Sequence, residues 1–496
     1  MRIVLASSEA VPFSKTGGLA DVATALAKSL AERGHDVFLV VPNHHRHGRA
    51  KTPPMEPTGK TVAVPVAAKT VTGAILQTRL PGSDVTFLLI DQPAYFDRPG
   101  LYQDDGADYP DNCERFSFFS RAVMEACRVL EIAPDVIHAN DWQTGLVPAL
   151  LNVEYSRQPA FAETAGVFTI HNMAFQGRFW HWDMLLTGLD WKYFNWKQME
   201  YFGDLNLMKT GVVFADMVTT VSPTYATEIQ TAEYGAGLDG VLRSRAADLV
   251  GILNGVDTDV WDPQTDAALP RNYAAETVTE GKSACKRDLQ GDRNLEVRDD
   301  VPLFGMISRM TAQKGLDLIS QCADRMLRQN VQLSFLGRGD GRYEQFLTDL
   351  STRYPRQVST TIGFDEELAH RIEAAADAYL MPSRFEPCGL NQMYSLRYGT
   401  VPIVRSVGGL ADSVVDTNDE TLAERRATGF RFDEYRSAAF SERFDRAVEL
   451  YRDKNTWKQL AQTGMRQDLS WNRSAAEYET VYRRARDKAA RRSREI

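Results

Sequence analysis

The pentapeptide Gly-Gly-Leu-Ala-Asp occurs twice in this 496-residue chain, at Gly17 to Asp21 and at Gly408 to Asp412. Each copy follows a short apolar run, Ile3-Val4-Leu5-Ala6 before the first and Val401 to Val404 before the second. Short apolar runs bounded by turn residues read as buried strands. A glycine pair between strand and helix marks the tight turn of a parallel α/β unit. One copy in each half predicts two α/β domains built on the same plan.

The rhythm between the copies supports this. Asp36 to Val41 reads as a second strand closed by Pro42, and residues 61–90 as short strands ending in Val85 to Ile90. Asn112 to Leu130 carries apolar residues at helical spacing. Strands are expected at Val136 to Ala139, Val167 to Ile170, Asp216 to Val221 and Leu249 to Leu253. Residues 262–300 are rich in Pro, Gly, Asp and Asn and mark the passage into the second half. There Leu303 to Ile307, Val331 to Leu336, Val358 to Ile362, Ala378 to Met381 and Val401 to Val404 restart the pattern.

Composition excludes several classes. The net charge of −9 disfavours general nucleic-acid binding. No apolar run is long enough to span a bilayer, and the N-terminus enters a strand without a secretory segment. Five scattered cysteines suit neither a disulfide framework nor a zinc site, and the chain is expected in the reducing cytoplasm. His44, His45 and His47 stand in a polar stretch and read as a solvated turn, not a metal site. The basic tail Arg483 to Arg494 reads as a solvated terminal helix.

The chemistry gathers at strand ends. Lys15, Gly17 and Gly18 lie where glycine backbone and a helix N-terminus favour a polyanion, although the same turn also serves plain packing. Tyr95 and Phe96 follow a strand, where a sugar can stack or a loop can pack. Asp141 and His171-Asn172 close two further strands on the rim that carries Lys15. The aromatic residues of 173–215 read as the core of an inserted helical subdomain, with a carbohydrate platform as the other reading. In the second half Arg309 and Lys314 lie five residues apart across a strand-to-helix turn, suited to one diphosphate. Glu386 precedes Cys388-Gly389-Leu390-Asn391, a helix start after Pro387 whose backbone N–H groups suit an anion.

These residues resemble the bacterial glycogen synthases and plant starch synthases. The resemblance runs through Ser14 to Val22, Tyr95 to Arg98, His138 to Gly145, Thr169 to Gln176, Tyr234 to Val241 and Asn254 to Asp257, then Ser308 to Gly315 and Ser383 to Gly409. It implies an α/β fold of two Rossmann-like domains facing a deep cleft, the GT-B-type architecture. Residues 1–255 would form the N-terminal, acceptor-side domain and 256–470 the nucleotide-sugar domain. Residues 471–496 would be a helix and basic tail packing back on the N-terminal domain. It implies a retaining glucosyltransferase, without metal or other cofactor, that moves glucose from ADP-glucose to the non-reducing end of glycogen or another α-1,4-glucan. By matching position Lys15 and Gly18 would contact the donor, and Gly17 and Tyr95 would belong to the substrate-binding residues. Asp141, His171 and Asn172 would hold the transferring glucose or the acceptor. Arg309 and Lys314 would grip the diphosphate, and Glu386 would bind the sugar near the reacting carbon. Cys388, Gly389, Leu390 and Asn391 would supply backbone donors.

Three positions depart from common patterns. Tyr394 stands where many retaining transferases of this architecture carry a second glutamate, Asn391 where many bacterial relatives have threonine, and Asn140 where many have histidine. Little consequence is expected from Asn391, and no role is assigned to Asn140. The rival readings are a UDP-glucose-preferring synthase, a non-catalytic glucan-binding scaffold, and a nicotinamide-dependent dehydrogenase. The last lacks its three-glycine fingerprint.

Overall fold

The computed structural model describes residues 1–47, 52–80 and 82–495. It comprises two compact units, Met1–Gly255 with Trp471–Ile496, and Val256–Ser470.

The first unit contains β1 (Arg2–Ala6), β2 (Asp36–Pro42), β3 (Glu56–Val66), β4 (Lys69–Arg79), β5 (Thr86–Asp91), β6 (Gln103–Asp104), β7 (Ala107–Asp108), β8 (Val136–Asn140), β9 (Ala165–Ile170), β10 (Arg178–Phe179), β11 (Glu200–Tyr201), β12 (Asp204–Asn206), β13 (Met217–Thr220) and β14 (Leu249–Gly251). Nine of them form one sheet in the order β14-β13-β9-β8-β1-β2-β5-β4-β3. The strands from β14 to β5 run parallel, while β4 is antiparallel to both of its neighbours. The helix Gly18–Glu32 lays Val22, Ala23, Leu26, Ala27 and Leu30 into the core that also holds Ile3 and Leu5. It starts at Gly18 with Gly17 as its N-cap, so the glycine pair opens the helix itself.

Two expectations need correction here. Residues 61–90 are not merely short strands: β3 and β4, of 11 residues each, are a hairpin added to the sheet edge. Pro57 and Pro65 obscure β3 in the sequence, yet an edge strand tolerates proline because its outer N–H groups bond nothing. The aromatic stretch after His171 is no helical core. It forms the small sheet β10-β12-β11 with single-turn helices, and Phe175, Trp180, Trp182, Trp191, Trp196 and Phe202 are exposed, Phe202 by 82%. Strands of two or three residues and a four-residue helix offer too little surface to enclose so many rings.

The helix Trp471–Glu495 buries Ala475, Tyr478, Tyr482, Ala485 and Ala489 in the core of the first unit. Its basic residues are more than a solvated face. Lys488 pairs with Asp248, Arg492 with Asp216, and Arg486 with Asp135 at 3.0 Å.

The second unit contains β15 (Leu303–Ile307), β16 (Gln332–Gly337), β17 (Val358–Ile362), β18 (Ala378–Met381), β19 (Val401–Arg405) and β20 (Phe430–Phe432). All six are parallel, in the order β17-β16-β15-β18-β19-β20.

Both sheets begin in the middle. In the first unit the chain leaves β1 toward β2 and returns on the other side through β8. In the second it leaves β15 toward β16 and returns through β18. Connections on opposite faces diverge at such a point and leave a crevice beyond the strand ends, where open α/β sheets hold ligands. The crevices lie between β1 and β8 in one unit, and between β15 and β18 in the other.

Candidate active site

In the first unit, Lys15, Gly17 and Gly18 follow β1, and Asp141 follows β8, so they border the same switch point. Lys15 is exposed and its Nζ lies 2.7 Å from Asp21 Oδ1. The turn has an anion already. Glu9, which sequence reasoning passed over, is buried, and its carboxylate accepts from the Thr16 N–H and from Thr16 Oγ1 at 2.8 Å. Tyr102 donates to it at 2.8 Å. Burial raises the Glu9 pKa, while these donors pull it down. The only signal was an acidic residue directly after a buried strand. In front of Gly17 the space is open, since a Cβ there would meet nothing within 4 Å.

Asp141 is a buried non-glycine residue at φ 57°. That conformation costs on the order of 1–3 kcal/mol and persists only where neighbours enforce it. Here Asp141 Oδ1 accepts from the His171 N–H at 2.7 Å, and the Asn172 N–H also points at the carboxyl. Burial pushes the carboxyl up to about 7, the two N–H groups opposing it. His171 Nε2 lies 2.9 Å from Asn140 Oδ1, and Asn140 Nδ2 donates to the Ala6 carbonyl at 3.1 Å. Burial holds the His171 pKa down to about 3, so the ring is neutral. With Asn140 oriented by Ala6, Nε2 carries the proton and Nδ1 presents its lone pair. Asn140, given no role above, thus orients the imidazole. Asn172 Oδ1 accepts from the Ala174 N–H at 3.0 Å and shapes the turn that follows.

Tyr95 does not join this rim as a stacking surface. It is buried in the short helix Pro93–Phe96, its ring 5.3 Å from that of Phe118, and its hydroxyl donates to Glu114. The packing alternative holds for Phe96 as well, which is fully buried. The histidine stretch also differs from a solvated turn. His44 is buried with Nε2 3.2 Å from the Ser8 carbonyl, and His45 Nε2 lies 2.5 Å from Asp91. Residues 48–51 of that stretch lie outside the described residues.

In the second unit, Arg309 and Lys314 follow β15, and Glu386 to Asn391 follow β18, again bordering the switch point. Lys314 Nζ reaches Glu386 Oε2 at 2.6 Å, and Ser383 Oγ donates to the same oxygen at 3.1 Å. Gln313 ties the two loops: its Nε2 donates to the Phe385 carbonyl at 3.0 Å and its carbonyl accepts from the Arg384 N–H at 2.8 Å. Arg309 is exposed. Gly389 takes φ +72°, the left-handed region that lets the chain turn into Leu390 and the helix Asn391–Arg397. Cys388 is buried.

The second Gly-Gly pair serves this turn by packing. A Cβ on Gly408 would sit 1.9 Å from the Glu386 carbonyl oxygen, and one on Gly409 2.2 Å from that of Cys388. The two copies of the motif therefore differ, one facing open space and the other filled by the chain's own backbone. Sequence reasoning also missed Phe364. It follows β17 and Gly363 and is 88% exposed beyond the strand ends of the same sheet. The signal available in the sequence was a bulky apolar residue set between Gly363 and the acidic run Asp365-Glu366-Glu367 just after a strand.

Residues 2–244 match the family model of the starch synthase catalytic domain, and residues 291–464 that of glycosyl transferases group 1. The chain is 48% identical over 484 residues to a glycogen synthase of Anaeromyxobacter dehalogenans, covering 97% of this chain and 99% of the relative. It is 45% identical over 485 residues to a glycogen synthase of Syntrophotalea carbinolica, covering 98% and 99%. The catalytic domain of starch synthase IV from Arabidopsis thaliana, solved bound to ADP and acarbose, superposes with a TM-score of 0.90 at 33% identity, over 98% of this chain and 99% of that one. Sucrose-phosphate synthase from Thermosynechococcus elongatus, at 17% identity and a TM-score of 0.60, shares the fold.

Proposed function

The chain belongs to the glycogen synthase and starch synthase family of glycosyltransferases, and we propose that it transfers glucose from ADP-glucose to the non-reducing end of an α-1,4-glucan with retention of configuration. The observation that carries this reading is the Lys314–Glu386 pair across the switch point of the second unit, with Arg309 on the same strand-end loop as Lys314. Breaking a glucose–phosphate bond leaves charge on the diphosphate. Arg309 meets that charge with a planar fork of donors and Lys314 with a point charge, which is electrostatic stabilisation by fixed groups. The reading assigns charge neutralisation to these protein cations and calls for no metal.

Glu386 holds the Lys314 ammonium in place through Oε2, and in this reading its other oxygen accepts from hydroxyls of the donor glucose. In the first unit the neutral His171 offers Nδ1 as an acceptor for a sugar hydroxyl, and Asp141 keeps the His171-Asn172 backbone in place. The acceptor hydroxyl bonds the anomeric carbon on the face from which the diphosphate leaves, which keeps the configuration, and the leaving phosphate oxygen takes the hydroxyl's proton, so no separate protein base is required. Phe364 offers an exposed face on which a nucleobase stacks. The ADP held by the Arabidopsis enzyme supports adenine as that base. Five buried cysteines, none of them joined in a disulfide, fit a reducing cytoplasm. Among the described residues no helix is long and apolar enough to cross a membrane.

The test is incorporation of glucose into glycogen from ADP-glucose and from UDP-glucose, side by side and without added metal. Incorporation from ADP-glucose alone is the expected result. Preference for UDP-glucose overturns the donor assignment, and incorporation from neither overturns the reaction.

A further inference from the structure

Glu373 lies in the helix Glu366–Ala375 and is completely buried. Its Oε2 accepts from Ser395 Oγ at 2.7 Å, whereas Oε1 meets no partner at hydrogen-bond geometry. The Asn391 side chain lies beside this carboxyl and beside the Tyr379 hydroxyl, close enough to favour the charged form of each. That hydroxyl donates to the Ile307 carbonyl at 2.7 Å and accepts from the Ile307 N–H at 2.9 Å. Ile307 ends β15 two residues before Arg309, and Asn391 ends the turn that starts at Glu386. Polar side chains therefore run from Ser395 through Glu373 and Asn391 to Tyr379, behind both loops of the second unit's site.

A buried carboxyl with an unpaired oxygen is costly to keep and is not explained by packing alone. Lys282 does not pair with it. Its ammonium bonds the carbonyls of Glu373, Ala374 and Tyr398 and the Thr400 hydroxyl instead. We infer that Glu373 is a positioning residue for the nucleotide-sugar site, holding Asn391, and through it the Glu386 turn, in register with the Arg309–Lys314 loop. This rests on the proposed reading that these two loops hold the donor. Burial lifts the Glu373 carboxyl to about 8, so at neutral pH it carries a proton and glutamine is its near isostere. Asn391, expected above to matter little, becomes the link between the carboxyl and the turn.

The experiment compares wild type, Glu373→Ala, Glu373→Gln and Asn391→Ala in glucose transfer, in ADP binding by calorimetry and in thermal unfolding. Glu373→Ala and Asn391→Ala are expected to raise the ADP-glucose KM and weaken ADP binding on the order of tenfold to a hundredfold, the cost of a slightly misplaced loop. The glucan KM stays unchanged and Glu373→Gln restores wild-type values. Should Glu373→Ala not fold, Asn391→Ala carries the same comparison. Wild-type ADP binding and KM in a folded Glu373→Ala or Asn391→Ala overturn the inference, as does a Glu373→Gln variant as impaired as Glu373→Ala. Wild-type protein that neither transfers glucose nor binds ADP overturns the functional reading itself, which is a different outcome.

Discussion

Lys314 Nζ lies 2.6 Å from Glu386 Oε2, each side chain reaching the other from opposite sides of the β15–β18 switch point. Both are largely shielded from water, whereas Arg309 is exposed, its guanidinium 3.5 Å from Gln313 Oε1. The two cations assigned to the diphosphate thus differ in what else they hold. Lys314→Ala and Arg309→Ala are both expected to lower kcat on the order of 100- to 1000-fold. Only Lys314→Ala is also expected to destabilise the fold, because it leaves a shielded carboxylate with the Ser383 hydroxyl but without its cation. Paired kinetics and thermal melts check both parts. Near-normal turnover in either variant removes that cation from the mechanism.

The two glycine pairs separate packing from ligand contact. Gly408→Ala places a methyl 1.9 Å from the Glu386 carbonyl oxygen at φ +43° and is expected to cost about 1–3 kcal/mol along with activity. Gly17→Ala meets nothing within 4 Å and should leave the folding stability within about 0.5 kcal/mol of wild type. If a substrate approaches that turn, Gly17→Ala raises a KM while leaving stability alone. Unchanged kinetics in Gly17→Ala count against a ligand there.

Asp141 makes a pH prediction. Its folded pKa, raised by burial to about 7, stands above the ordinary 3.8. Between those values the folded protein keeps a proton that the unfolded chain has released, so this group's contribution to stability falls as pH rises. Asp141→Asn cannot lose it. The variant's melting temperature relative to wild type should therefore rise from about pH 4.5 to about pH 7.5. A constant difference across that range rejects the shift.

Phe364 is predicted to act on the donor alone. Phe364→Ala removes an 88% exposed ring, so stability should not change measurably. Losing one stacked base costs on the order of 1–3 kcal/mol, seen here as a higher ADP-glucose KM with the glucan KM unaffected. Equal KM values in wild type and variant place the base elsewhere.

The strand rhythm was legible because fully buried parallel strands are nearly continuous apolar runs, as in Ile3 to Ala6 and Leu303 to Ile307. Lys15, Asp141 and His171 in the first unit, and Arg309, Lys314 and Glu386 in the second, could be placed from sequence because residues that follow parallel strands emerge at the carboxyl rim of their own sheet. Tyr95 was misread because an aromatic after a strand looks alike whether it faces a ligand or a helix. The segment 173–215 was misread because aromatic density reports neither how long the elements are nor what covers them.

The sequence by itself determined the two α/β halves, the strand ends that carry charge, and the family to which the chain belongs. These follow from local periodicity and short motifs, which depend on neighbours along the chain. The tertiary structure decided how the same Gly-Gly-Leu-Ala-Asp string serves two ends, open at Gly17 and packed at Gly408. It also decided that Glu9 fills the first turn, that Asn140 orients His171, and that Glu373 stands behind Asn391. Each of these joins residues from different elements, and which strands become neighbours is set by the order of the whole sheet, which no local window contains.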